Sequence, residues 1–364
     1  MRNAFQVTSV ILLIILTSCS REDNNGFLWE KSHGEGSAFA SFYTNDSLFI
    51  FAGSLSGYPA ALKTTLSGRL IYQFDGEHPG AFTSLTEDTS GITLAGSSEG
   101  RLMVTRLSDR FHYLWSRTYD FSTEIETARI ARWDDDSFVV VAGDWIDSLR
   151  YNSFLILLLD GDGEIISMAE PSRGYTITVN DMVKTGNNDL ITALTRKEGG
   201  DKSQAVIARF DISGNLIWER ELYNNPEFGA SVISLTKGTD EIVYATGSTE
   251  ITEGESLFTS SWVAAFTAAG DLLWKRYLEN SNSGEDIMIN KTDQLMVMNR
   301  NCGIINYLSL PDGTIVERFR MYDACDPSEH MIELSSMNIL PGGEYLVTGR
   351  RSGKFYYARH RGPE

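Results

Sequence analysis

The chain has 364 residues, 42% of them hydrophobic and 11% aromatic, and its 31 basic and 49 acidic side chains give a net charge of −18. That length suffices for one large core or two ordinary ones, while an acid excess spread along the chain leaves no basic stripe for phosphates and argues against nucleic acid as a partner. Thirty-two Gly against eight Pro, among many Thr, Ser, Tyr and Phe, predict short strands joined by tight turns.

Residues 1–18 read as a signal peptide. Arg2 supplies a minimal positive region, and Val10–Leu16 is an unbroken apolar run, too short for the roughly 20 residues a bilayer span needs. Leu16-Thr17-Ser18-Cys19 follows and resembles the lipobox of bacterial lipoproteins. The resemblance implies cleavage before Cys19, acylation of that residue and an acylated tether over residues 19–25. Ser20 stands where inner-membrane retention commonly uses Asp, which implies outer-membrane sorting. Ser20-Arg21-Glu22-Asp23 resembles a surface-export signal, so the cell surface is favoured over the periplasmic face.

From residue 26 to about 360 one phrase recurs, an apolar strand ending in Ala-Gly-Ser or a relative of it. Its copies centre on residues 53, 96, 143, 194, 247, 298 and 349, at spacings of 43, 47, 51, 53, 51 and 51. Each repeat holds four strand-like runs. In the fifth these are Ala230–Leu235, Glu241–Gly247, Trp262–Phe266 and Leu272–Tyr277. Gly turns such as Ser67-Gly68, Asp162-Gly163, Ser213-Gly214 and Asp312-Gly313 precede the fourth runs. No helical periodicity interrupts them. The pattern predicts an all-β fold, a seven-bladed β-propeller with four-stranded antiparallel blades. After residue 349 only Lys354–Arg359 remains as a strand, whereas Phe27–Lys31 carries a fourth-strand signature with nothing before it. Pairing the two closes the ring and removes two exposed edges.

The fourth strands carry Trp29, Trp115, Trp218 and Trp274, with Tyr72 in register, while Ser167 and Glu317 break the series. That phrase resembles the Gly-x-Leu-Ile-Trp turn-and-strand of quinoprotein-like and WD40-like propeller repeats, and the Trp residues are expected to pack between blades. The resemblance covers blade grammar alone and carries no cofactor chemistry with it.

Loops between second and third strands share a rim with the connections between blades. The insertions Asp144–Asn152, Thr195–Gln204 and Ser248–Ser260 fall on that rim, where binding usually sits. Cys302 and Cys325 lie there too. In an oxidising compartment they form a candidate disulfide, the alternative being two free thiols. His33, Glu35, Glu77, His78, Glu329 and His330 open first strands on the same rim, and Glu126, Glu227 and Glu285 occupy similar positions. These acids and imidazoles have two readings. They trap a metal or a cationic ligand, or they belong to the repeat and accept backbone N–H bonds from the neighbouring blade. No pair has metal-ligand spacing, and Asp160-Gly161-Asp162-Gly163-Glu164 places its Gly too early for a calcium loop and reads as a solvated turn. Nucleophile elbow, P-loop and dinucleotide fingerprints are missing, so neither cofactor nor metal is expected.

Two functions fit. One is a non-catalytic outer-membrane lipoprotein, a platform for a protein or glycan partner, accessory to an assembly, secretion or nutrient-uptake complex. The other is an enzyme of surface polysaccharide using Glu35, Glu77 and Glu227 as acid and base. An aromatic patch including Tyr58, Trp145 and Phe258 would favour the platform. A cluster of those carboxylates around a groove, one of them with a raised pKa, would favour the enzyme.

Overall fold

The computed structural model describes residues 26–121, 124–143, 154–171, 176–197, 202–222, 228–253, 256–278, 282–300, 303–322 and 332–362. All regular elements among them are strands. The chain opens with β1 (Phe27–Tyr43), β2 (Phe49–Leu55), β3 (Tyr58–Thr64) and β4 (Leu70–Asp75). Five antiparallel four-stranded sheets follow in chain order. They are β5 (Gly80–Asp88), β6 (Gly91–Ser98), β7 (Arg101–Ser108) and β8 (Tyr113–Tyr119); then β9 (Thr127–Asp134), β10 (Ser137–Gly143), β11 (Leu155–Asp160) and β12 (Ile165–Ala169). Next come β13 (Thr176–Lys184), β14 (Leu190–Lys197), β15 (Ser203–Phe210) and β16 (Leu216–Glu221). The fifth group is β17 (Ala230–Lys237), β18 (Val243–Glu253), β19 (Ser256–Phe266) and β20 (Leu272–Leu278), and the sixth β21 (Gly284–Ile289), β22 (Gln294–Asn299), β23 (Ile304–Ser309) and β24 (Ile315–Arg320). The last three strands are β25 (Ile332–Ile339), β26 (Tyr345–Arg351) and β27 (Lys354–His360).

The long strand β1 serves two groups. Phe27 to Glu35 pair with His360 to Lys354 of β27, and Gly36 to Tyr43 pair with Leu55 to Phe49 of β2. One sheet of the order β25-β26-β27-β1-β2-β3-β4 results. The changeover falls at Gly34 and Gly36. A Cβ on Gly36 would stand 2.0 Å from the Ser54 carbonyl oxygen, so only glycine lets the strand cross there.

The second and third strands of each group are buried on both faces and read as continuous apolar runs, whereas the fourth strands alternate and are mostly exposed. Core clusters lie between successive groups. Val139, Val141 and Ile156 meet Leu190, Val206 and Phe210; Tyr244 and Val263 meet Leu295 and Leu308. Leu346, Phe355 and Tyr357, near the chain's end, pack on Phe49, Phe51 and Leu62, near its start. Burying such side chains stabilises by about 1.5–3 kcal/mol each.

The Trp of each fourth strand locks onto the following group. Trp115 donates its indole N–H to Gly161 O, Trp218 to Ala268 O, Trp274 to Leu310 O and Trp29 to Leu66 O, at 2.8–3.1 Å. Each ring covers the glycine of the turn it reaches. At Gly270, with φ +86°, a Cβ would stand 2.8 Å from the Trp218 ring. The Gly and the Trp of the repeated phrase thus touch across neighbouring sheets. Where Ser167 breaks the series, Ala169 meets the next turn at Gly214 instead. Where Glu317 does, Phe319 packs edge-on against His360 at 4.9 Å.

Two expected loops prove to be strand. The insertion Ser248–Ser260 extends the β18–β19 ladder to the pair Glu253 and Ser256, and Thr195–Gln204 extends β14 and β15 to Lys197 and Ser203. An insertion must satisfy its own backbone N–H and C=O groups, and β-branched Thr249, Ile251 and Thr259 favour doing so by mutual pairing. Asp160–Glu164 is a turn, with Asp160 Oδ1 accepting the N–H groups of Asp162 and Glu164.

Candidate functional site: the axial cavity

One strand of each group, namely β1, β5, β9, β13, β17, β21 and β25, lines a common cavity of about 440 Å³. Its walls follow from a repeated backbone irregularity. The ladders between these strands and their partners skip one residue, which is Phe39, Thr83, Asn180, Ile233, Glu285 or Ser335. All six line the cavity, as do the residues that follow them, Ala40, Ser84, Asp181, Ser234, Asp286 and Ser336. A bulge bends the strand and re-aims its side chains. Strand β9 keeps regular pairing at this level and contributes Arg129.

Side chains at or near these positions tie all but one of the successive strand pairs together. Thr83 Oγ1 donates to Ala128 O and accepts the Ala128 N–H, and Thr127 Oγ1 donates to Val179 O. Asn180 donates to Val232 O. Asp181 accepts the Leu235 N–H at 2.8 Å, and Asp286 the Met337 N–H at 2.7 Å. Asn338 donates to Ser41 O at 2.9 Å, bringing β25 to β1. Ser234 Oγ stands 3.1 Å from Asp181 Oδ2 and 3.1 Å from Asp286 Oδ1.

Burial dominates the electrostatics. It pushes the Asp286 carboxyl up to about 7 against the Met337 N–H, with the Asp181 charge adding to the rise. It also raises Asp181, although Arg129 opposes it, and lowers the Arg129 guanidinium. Arg129 is held by carbonyls, with Nε donating to Asn180 O and Nη1 to Thr83 O. Burial raises Glu285 as well. Its Oε1 accepts no hydrogen bond among the described residues and lies 3.8 Å from Arg300, which also pairs with Glu333 at 3.3 Å. The cavity therefore gathers acidic and basic groups whose charged forms burial disfavours.

Of the described rim residues, His33, Glu35, Tyr58, Glu77, His78 and Phe258 do not line it. His33 hydrogen-bonds Gln73 at 3.0 Å, His78 faces Glu99 at 3.6 Å, and Glu35 and Glu77 are exposed. Tyr58 is 41% exposed at the β2–β3 turn and Phe258 is 49% exposed on β19. Of the acids expected to open first strands, Glu126 and Glu285 do reach the cavity. Cys19, Trp145, Glu227, Cys302, Cys325, Glu329 and His330 lie outside the described residues. Among the described residues no three His, Cys, Asp or Glu side chains gather as a metal would need, and no helix is long and apolar enough to cross a membrane. The sequence reading missed Arg129, Asp181, Ser234 and Asp286. Aligning the repeats on their first strands would have found three of them, since residues 181, 234 and 286 recur near the repeat period beside Ser84 and Ser336.

No protein-family model matches the chain, and no curated protein does. Solved structures do. The chain is similar to the Pan2 WD40 domain of Neurospora crassa, with TM-score 0.58 and 13% identity over 91% of this chain and 90% of that one. It is similar to virginiamycin B lyase from Staphylococcus aureus, with TM-score 0.60 and 12% identity over 91% and 98%. Sqt1 from Chaetomium thermophilum gives TM-score 0.57 and 13% identity over 93% and 99%. Antiparallel four-stranded sheets and these likenesses make the fold a β-propeller. At such identities the likeness reaches no further than the fold.

Proposed function

We propose that this chain is an outer-membrane lipoprotein, anchored through Cys19, whose seven-bladed propeller is a non-catalytic platform for a protein partner. Seven blades, with the first half of β1 as the fourth strand of the last, are supported by the double pairing of β1 and by the hydrogen bonds that bring β25 to β1. The anchor rests on the lipobox-like Leu16-Thr17-Ser18-Cys19.

The observation that carries the platform reading is the outer wall. Each fourth strand presents exposed apolar side chains, such as Ile165 and Ile166 on β12, Leu216 and Ile217 on β16, and Leu272 and Leu273 on β20. Strands β12, β16 and β20 each end a sheet, leaving one edge unpaired. Apolar side chains repeated beside open edges suit a protein better than a sugar, because a polypeptide can cover the one and pair with the other. The platform is accessory to an outer-membrane complex.

The test is isolation of the full chain, tagged after Glu364, from membranes in mild detergent, with labelled palmitate supplied to the cells. Label that is lost in Cys19→Ser, together with a stoichiometric outer-membrane protein in the eluate, is the expected result. Unlabelled protein overturns the anchor, and labelled protein that elutes alone overturns the platform.

A further inference from the structure

The contact between Asp181, Ser234 and Asp286 raises a problem of proton counting. Ser234 Oγ lies 3.1 Å from an oxygen of each carboxyl group, yet a hydroxyl owns one hydrogen and can donate fully to one acceptor. The second contact is a hydrogen bond only if the other carboxyl donates. We propose that Asp181, Ser234 and Asp286 form a proton-sharing latch across the axial strands. In it Asp286 carries the proton and donates to Ser234 Oγ, while Ser234 donates to ionised Asp181.

The surroundings decide which carboxyl is ionised. Each carboxyl accepts two backbone N–H groups, Asp181 those of Leu235 and Met182 and Asp286 those of Met337 and Ile287, so the difference is Arg129 on β9, which favours the Asp181 charge. Asp286 faces the Asp181 charge and is the group pushed up to about 7. The other charged groups of the cavity are Glu126, next to β9, Glu285 on β21, and Arg300, which engages Glu285 and Glu333 of β25. From β1, β5, β17 and β25 the cavity receives hydroxyl and apolar groups, including Phe39, Thr83, Ile233 and Ser335.

The latch joins β13 to β17 and β17 to β21, and the Met337 N–H on Asp286 extends it to β25. Loss of the shared proton sets two anions against one hydroxyl hydrogen, so one of the two strand contacts must release. The cavity then gains one negative charge, and a device sensitive to pH near neutrality sits on the propeller axis.

Carboxyl resonances of the full chain, labelled at aspartate and titrated by NMR, test this. One resonance of the pair should titrate near 7 and should be lost in Asp286→Asn, and in that variant the Asp181 midpoint should stay well below 7, because Asp286 is already neutral over the range in which Asp181 ionises. Ser234→Ala provides a second arm should that variant not fold. The hydroxyl stabilises the singly protonated pair alone, so its removal should draw the two midpoints together. Both carboxyls titrating independently within the ordinary range of about 3–5, or a separation unchanged in Ser234→Ala, would overturn the latch.

Discussion

A single glycine shows how the repeated phrase works. Gly270 has φ +86° and lies under the Trp218 ring, whereas Gly343 has φ +85° and nothing within 4 Å of where a Cβ would stand. Alanine at both positions separates two costs. Gly343→Ala meets only the left-handed backbone and should lose about 1 kcal/mol. Gly270→Ala adds a clash with an indole that is itself hydrogen-bonded to Ala268 O, and should lose about 2–4 kcal/mol in chemical denaturation. Equal losses would mean that the Trp contact is slack and does not hold neighbouring sheets together. Both halves of this device were legible, because the turn Gly and the fourth-strand Trp each recur in several repeats. That they touch across repeats was not, since the spacing between them is set by the ring and not by local sequence. The same limit hid Asp181 and Asp286. Their strands look ordinary until one residue is skipped in the ladder, and a bulge has no side-chain signature of its own.

Turns and strands were readable at the scale of the element because their chemistry is local. Gly68, Gly163, Gly214 and Gly313 all adopt positive φ where the third strand turns into the fourth. The insertions were misread for an equally local reason. Ser248–Ser260 is polar and lacks the unbroken apolar pattern of the buried strands, yet it is paired out to Glu253 and Ser256. A two-stranded extension past the sheet needs no core, only a partner strand. That independence makes a prediction. Replacing Ile251–Phe258 by Asn-Gly, joined to Glu250 and Thr259, shortens the hairpin and leaves the Lys202 and Gly229 contacts of Glu250 in place. Thermal stability should change by less than about 1 kcal/mol. A loss of several kcal/mol would show that the extension is integral to the fold.

The whole molecule depends on how its ends meet. Along the first half of β1, Phe27 packs edge-on against His360 at 4.8 Å and lies 5.1 Å from Tyr322, and Trp29 reaches Leu66 O. Glu30 bridges Arg351 at 3.0 Å and accepts the Tyr356 hydroxyl at 2.7 Å. The contacts of Phe27 with His360 and of Glu30 with Arg351 and Tyr356 join residues more than three hundred positions apart, so they form late and convert a row of sheets into one cooperative unit. Two truncations isolate their worth. A chain lacking residues 1–25 keeps every one of them and should unfold at the temperature of the full chain. A chain lacking residues 1–35 loses both aromatic anchors and the ladder on β27. It should lose more than about 4 kcal/mol, broaden its transition as the end groups melt separately, and associate through the bared β27 edge. Calorimetry with light scattering would read all three effects. If the shorter chain instead melted as sharply and as high as the longer one, the strand pairing at β27 would be an ornament, and the proposed closure of the ring by the first strand would not account for the stability of the fold.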